Sequence, residues 1–437
     1  MTPKRPASPA AVRKQGMAAR QRALPMEVDG ARQPPLGMPP ADFLRDYWQK
    51  RPLLIRNAFP GFVSPIQPED LAGLACEDAA LSRIVAHERG DGAGGADRWL
   101  LRNGPFPEDL FPTLPHHDWT LLVQDVDKWD ADVAQVLEAF DFLPRWRIDD
   151  VMVSFAAPGG SVGAHVDQYD VFLLQAQGRR RWQIDASEAL GKGAPPLAFR
   201  NDVELKLLQR FKPTHDWVLE PGDMLYLPPG VPHHGVAEDA CLTLSIGMRA
   251  PSAAELLGDF VDTLAADADE SERYHDPDLA PAADPAEIDP AAMARVVAAL
   301  NALRMNDPDR LGDWFGRFIT LYRSAGQVQA PPESRSRIEV EWDLSNGGRL
   351  LRHPFSRMAW RKAYKRGAPA QLFVSGQVHA LPSRDAQRIA NAAEIDGGFY
   401  AALSEAGRDR VQALLHEGHY QLQLPDEGWE EGLGDDD

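Results

Sequence analysis

The sequence predicts an α+β fold in which a strand-rich sandwich or barrel comes first, a helical stretch second and a small mixed unit last. Three observations carry this prediction. Between Trp119 and Leu244 short apolar runs recur, "WTLLVQDV", "DDVMVSFAAPGG", "VFLLQAQG", "RRWQI", "DWVLEPGDMLYLPPG" and "CLTLSIGM", separated by Gly, Pro and Asp turns, as strands of a sandwich or barrel are. After Arg249 the apolar residues switch to three and four spacing in "SAAELLGDFVDTLAADA" and "AAMARVVAALNAL", the period of amphipathic helices. From about residue 335 to 424 a hairpin-like "QLFVSGQVHAL" is followed by helical "SRDAQRIANAA", "GGFYAALSEA" and "RDRVQALLHEG". That is the size and order of a winged-helix-like unit.

Taken in order, residues 1–36 are rich in Pro, Ala, Arg and Gln without hydrophobic period and are expected to be a disordered tail. Lys4, Arg5, Arg13, Lys14, Arg20 and Arg22 precede its first acid, Glu27. This texture partly resembles a transit peptide but lacks a secretory apolar core, and a start placed too far upstream of Met17 or Met26 explains it equally well. From "PPADFLRDYWQKRPLLIRNAF" a short helix and an apolar strand, Leu53 to Ile55, are expected. The strand-rich domain is expected over 37–250, a helical region over 251–334 with the linker "YHDPDLAPAADPAEIDP" inside it, the winged-helix-like domain over 335–424 and an acidic tail over 425–437. The broad apolar faces of the two helices suit packing on a second subunit or back onto their own barrel.

Composition narrows the function classes. No apolar run reaches the roughly 18 to 20 residues that span a bilayer, which predicts a chain that does not cross the membrane. Two cysteines, Cys76 and Cys241, make neither a disulfide framework nor a cysteine-rich zinc site, so a reducing, cytoplasmic setting is expected. The formal charge of -19 argues against direct nucleic-acid binding and suits a basic partner, although an acidic surface also serves simple solubility.

The chemistry begins at "GAHVDQYDVFLLQAQGRRRW". His165 and Asp167 are two apart, and on a strand that spacing places both on one face. A third ligand comes from "LEPGDMLYLPPGVPHHGV", read as a turn, a strand and a rigid loop that returns at His233 and His234. Only one of these neighbours can point at the same ion. Two His and one carboxylate leave adjacent positions open, the facial triad of non-haem Fe(II) oxygenases, where a bidentate co-substrate and dioxygen bind side by side. His215 in "KPTHDW" precedes a strand and reads as a surface residue.

Alternation along "RRRWQI" puts Arg180, Trp182 and Ile184 on the inward face and Arg179, Arg181 and Gln183 on the outward one. An inward guanidinium needs an anion. The far carboxylate of 2-oxoglutarate, whose other end chelates iron, would supply it; an internal acid such as Asp170 is the competing partner.

At these residues the chain resembles the JmjC-type ribosomal oxygenases, and within them the cupin-4 group of bacterial ribosomal-protein arginine hydroxylases. The resemblance runs from "DFLRDYWQKRPLLIR" through "WTLLVQ", "WRIDDVMVSFAAPGGSVGAHVDQYDVFLLQAQGRRRW" and "LEPGDMLYLPPGVPHHG" to "LSIGMRAPS", dense over about residues 40 to 255. It implies a double-stranded β-helix (a JmjC or cupin-like jelly-roll barrel), a helical dimerisation region that makes a homodimer, and a winged helix. It also implies that His165, Asp167 and His233 hold Fe(II) and that Arg180 binds 2-oxoglutarate. Thr243 stands where the family can have Asn near the co-substrate, and "PHHG" replaces the expected "PHEG" with the first His retained. The implied reaction consumes 2-oxoglutarate and dioxygen, releases succinate and carbon dioxide, and hydroxylates the β-carbon of an arginine in a large-subunit ribosomal protein. An acidic enzyme should meet such a client before or during assembly, since rRNA would repel it.

Ser154, Gln168, Tyr169 and Asp170 are candidates for client contact by their nearness to the metal ligands. Two other readings compete. One is a 2-oxoglutarate oxygenase acting on a ribosomal-protein histidine or a small molecule; the other is a non-enzymatic interaction protein, against which the four retained site residues argue.

Overall fold

The computed structural model describes residues 24–90, 97–187, 196–269, 273–281, 284, 286–302, 307–322, 328–363 and 365–425. The first part is built from β1 (Glu27–Asp29), β2 (Leu53–Arg56), β3 (Ser82–Glu88), β4 (Arg98–Asn103), β5 (Trp119–Val123), β6 (Ile148–Ala156), β7 (Val171–Gln177), β8 (Arg180–Ile184), β9 (His215–Leu219), β10 (Met224–Leu227), β11 (His233–Ala237) and β12 (Cys241–Met248). Nine of them form one sheet in the order β1-β2-β10-β7-β12-β6-β5-β3-β4, and β11-β8-β9 form a second. Isolated bridges of Ser161 to Val236 and His165 to His233 extend the smaller sheet. The chain therefore crosses between the sheets from β6 to β12, the path of a double-stranded β-helix.

Burial explains the apolar runs. β12 is buried along its whole length and β7 along all but its last residue, because each lies inside the large sheet with both faces covered, where strict alternation gives way to continuous hydrophobicity. β6 keeps its alternation. Val151 and Val153 enter the main core, whereas Asp150, Met152 and Ser154 line a cavity inside the barrel. The core is centred on Phe172, whose ring lies 4.9 Å from Phe140, 4.9 Å from Tyr226 and 5.8 Å from Phe43. Phe43 is carried by α1 (Pro40–Asp46), with α2 (Pro68–Leu74) and α3 (Ala131–Gln135) closing the same side.

Next come α4 (Ala253–Ala266), α5 (Pro290–Ala302), α6 (Pro308–Leu321) and α7 (Arg337–Ser345). A capping box of Ser252 and Glu255 starts α4. β13 (Arg349–Arg352), β14 (Met358–Arg361), β15 (Ala370–Val374), β16 (Gln377–Leu381), α8 (Ser383–Asn391), β17 (Glu394–Ile395), α9 (Gly397–Ala401), α10 (Glu405–His416) and β18 (Tyr420–Gln423) complete the C-terminal unit around its own apolar core.

Four differences from the sequence reading stand out. Structure begins before residue 37: β1 pairs parallel with β2, Leu36 is buried, and the Tyr47 hydroxyl donates to the Pro25 carbonyl. Residues 1–23, like 426–437 of the acidic tail, lie outside the described residues. His165 and Asp167 do not share a regular strand; His165 sits in an isolated bridge and Asp167 in the irregular chain that follows it. His233 and His234 open strand β11 rather than ending a loop, and His215 opens β9. Finally, β3, β4, α6 and α7 were not anticipated. In α6 the pattern "RLGDWFGRF" is broken by Gly312 and Gly316, yet a Cβ on Gly316 would meet the Phe373 ring at 2.4 Å, so the glycines allow the sheet to approach.

Candidate metal centre

His165 and His233 face each other across the bridge, each main-chain N–H donating to the other's carbonyl at 3.0 Å. Their rings are 4.2 Å apart. The Nδ1 of His165 bonds the Gly163 carbonyl at 2.9 Å and that of His233 bonds the Val231 carbonyl at 2.9 Å. A carbonyl accepts only, so each Nδ1 carries the proton and each Nε2 keeps its lone pair. Asp167 Oδ2 is 3.5 Å from His233 Nε2, and one ligand atom from each of His165, Asp167 and His233 lies within 4.8 Å of the others. Burial and the neighbouring His165 push the His233 imidazole down to about 4, which keeps it neutral. A divalent transition metal fits this donor set of two imidazole nitrogens and one carboxylate oxygen. His234 points the other way, as alternation on β11 requires, and its ring meets Phe211 edge-on at 6.0 Å.

The three candidate ligands open into a cavity of about 580 Å³. Arg180 lies in it, 3% exposed. Its Nη1 donates to Ser154 Oγ at 3.2 Å and Thr243 Oγ1 at 3.5 Å, its guanidinium lies 5.0 Å from the Trp182 ring centre, and its Nε has no hydrogen-bond partner among the described residues. Among the described residues no carboxylate pairs with it. Burial alone pushes its proton affinity down, the signature of a cation waiting for an anion. Gly235, opposite Trp182 on the neighbouring strand, makes room: a Cβ there would be 2.9 Å from Arg180 Nε. Arg179 pairs with Asp239, and Arg181 with Asp216 and Glu238, both outward as alternation predicts. Thr243 also donates to Gln175 Oε1 at 3.1 Å, so its hydroxyl is held in place beside Arg180.

The remaining candidates separate. Ser154 and Tyr169 line the cavity. Gln168 is exposed and does not. Asp170 does not either: its carboxylate accepts from Tyr226 at 2.6 Å, Gln49 at 2.9 Å and Arg147 at 3.2 Å, which also excludes it as the partner of Arg180. Sequence reasoning missed the acidic wall opposite, formed by Asp125, Asp149 and Asp150. Asp150 makes no ion pair among the described residues; burial and the adjacent Asp125 raise its carboxyl to about 7. The signal was present, since Asp150 and Met152 share the face of Ser154 at a period of two.

Known proteins are similar to this chain over most of its length. The model of the JmjC domain matches residues 135–256, and that of the ROXA-like winged helix residues 302–421. The chain is 38% identical over 310 residues to the ribosomal protein uL16 3-hydroxylase of Escherichia coli K12, covering 71% of this chain and 79% of that protein. It is 41% identical over 222 residues to a probable ribosomal oxygenase of Haemophilus influenzae, covering 50% and 51%. The X-ray structure of Escherichia coli YcfD superimposes with a TM-score of 0.78 at 33% identity, over 89% of this chain and 99% of that one. YcfD, a ribosomal oxygenase, has also been solved with cobalt and 2-oxoglutarate, and that structure matches with a TM-score of 0.74 at 33% identity, over the same shares. The chain belongs to the JmjC ribosomal oxygenases.

Proposed function

We propose that this chain is an Fe(II)- and 2-oxoglutarate-dependent hydroxylase of the large-subunit ribosomal protein uL16, acting on the β-carbon of an arginine. Arg180 carries the reading. A buried guanidinium with no acid partner among the described residues, lining the same cavity as two histidines and an aspartate, suits a dicarboxylate that chelates iron at one end.

His165, Asp167 and His233 would hold the iron through His165 Nε2, His233 Nε2 and an Asp167 carboxylate oxygen, and Arg180 with Ser154 and Thr243 would receive the far carboxylate of the co-substrate. When bound, iron with 2-oxoglutarate and dioxygen supplies a two-electron oxidation that leaves one oxygen on a substrate carbon and releases succinate and carbon dioxide. The chain's own work is placement. Asp150, supported by Asp125, faces the cavity where a client guanidinium can be paired, with Met152 and Tyr169 against its aliphatic stem.

Two further assignments complete the proposal. Residues 251–334 form the dimerisation region: Leu257, Val261, Met293, Val296, Val297 and Leu300 are exposed apolar residues of α4 and α5, a surface that a second copy would cover. A cytoplasmic setting, where ribosomal proteins are made, belongs to the same proposal and is supported by the similarity to the uL16 3-hydroxylase. The acidic surface favours a basic client over nucleic acid. Succinate release that depends on added uL16 tests the reading; release stimulated only by free amino acids would replace it with a small-molecule oxygenase.

A further inference from the structure

We infer that Arg357, in the C-terminal unit, is a positioning residue for client binding, because it holds the peptide group that leads into Asp150 and so sets the acidic wall of the catalytic cavity. This rests on the hydroxylase reading above.

At the start of β6 two neighbouring carboxylates, Asp149 and Asp150, both border the catalytic cavity, and one of them borders a second cavity as well. Asp150 lines the catalytic cavity with Met152 and Ser154, while Asp149 also borders a second cavity of about 430 Å³, between the barrel and the C-terminal unit. Arg357 reaches Asp149 from that side. Its Nη2 donates to the Asp149 main-chain carbonyl at 3.3 Å and to Oδ1 at 3.5 Å, and its Nη1 donates to the Tyr322 carbonyl at 2.7 Å, where α6 ends. The Asp149 carbonyl belongs to the peptide group whose N–H is that of Asp150. One guanidinium thus ties the end of a helix in the C-terminal half to the bond that aims Asp150.

Two other cations meet Asp149. Lys128 Nζ donates to the same carbonyl at 3.3 Å, and Arg249 Nε donates to Oδ1 at 3.0 Å while its Nη1 donates to the Ile319 carbonyl at 2.9 Å. Lys128 and Arg249 belong to the barrel half, whereas Arg357 reaches the cluster from the C-terminal unit. Its side chain is 10% exposed, a setting in which a charge-assisted bond resists solvent screening.

Asp150 faces the anions Asp125 and Asp149, the cation Lys128, and Tyr169 and Arg83 across the cavity. Arg357 draws Asp125 downward, and Asp149 pushes Asp150 upward. Removing Arg357 leaves more uncompensated negative charge beside Asp150, which holds its proton to higher pH.

The test uses full-length, iron-loaded Arg357→Gln and Arg357→Lys proteins, with steady-state kinetics on purified uL16 across pH and on 2-oxoglutarate alone. For Arg357→Gln, client KM should rise about tenfold while kcat and the 2-oxoglutarate KM stay within about twofold, and the pH midpoint of kcat/KM should move upward. Lysine keeps the charge but cannot span both carbonyls, so it should restore the pH midpoint and only part of the KM. Unchanged client KM and midpoint in a folded Gln protein overturn the inference, as does an equal loss of client-independent turnover. Should the Gln protein fail to fold, the Lys protein decides alone: raised client KM with normal co-substrate KM supports the role, and normal client KM overturns it. Failure of the unmodified enzyme on uL16 would instead remove the functional reading beneath it.

Discussion

His165 and His233 are opposed residues of one antiparallel bridge, locked by two main-chain hydrogen bonds of 3.0 Å, with each Nδ1 tied to a carbonyl two residues earlier in its own chain. The backbone therefore sets both imidazoles before any ion arrives. Adjacent His234 lies on the other face of β11, and this separates the two experimentally. His233→Ala should abolish Fe(II) binding and turnover, whereas His234→Ala should retain most of both. Anaerobic Fe(II) titration of the two proteins checks it, and equal loss in both would contradict the assignment.

Arg180 gives a prediction with two signs. Arg180→Met removes a buried, unpaired charge and should stabilise the protein without co-substrate by about 1 to 4 kcal/mol. The same change should weaken 2-oxoglutarate binding by roughly a hundredfold, the loss expected for a charge-assisted two-pronged contact. Thermal melts with and without 2-oxoglutarate read both effects.

Asp150 should make client binding depend on pH. Its folded carboxyl is raised to about 7, so it is ionised above that pH and protonated below. Affinity for a cationic side chain should therefore fall as pH drops through about 7, and Asp150→Asn should flatten the profile. Stability runs the other way. A carboxyl raised on folding binds more protons in the folded state, so its ionisation costs stability above pH 7, and that cost vanishes below its unfolded value. Binding measured from pH 6 to 8, beside denaturant melts, distinguishes the two slopes.

The exposed apolar residues of α5 should disappear into a partner copy. A charge at Leu300, as in Leu300→Asp, should convert a dimer to monomers in sedimentation equilibrium while leaving the barrel core intact. In contrast, Phe172→Ala, which removes a fully buried ring packed among Phe43, Phe140 and Tyr226, should cost about 3 to 5 kcal/mol in urea unfolding.

Residues whose chemistry alone betrays them were legible in the sequence. Arg180 beside Trp182 on an alternating strand had to point inward and needed an anion, and the structure places it inward without an acid partner among the described residues. The strands β7, β10 and β12 were legible for the same reason, as apolar runs too long for a surface. What escaped depends on distant contacts. β1 is three residues long and is fixed only by pairing with β2. α6 was hidden by glycines that make sense only once the Phe373 ring is seen against them. Asp150 escaped because an acid at a strand start reads as solvated, although its period-two register with Ser154 places it on the cavity face.

This site is expected to oxidise an arginine of uL16 with 2-oxoglutarate. The direct measurement is peptide mass spectrometry of purified uL16 after anaerobic loading of the enzyme with Fe(II) and 2-oxoglutarate and admission of air, with the His165→Ala protein in parallel. One added oxygen on an arginine, absent with His165→Ala, is the predicted result. Succinate formed without any modified uL16 peptide would contradict the claim.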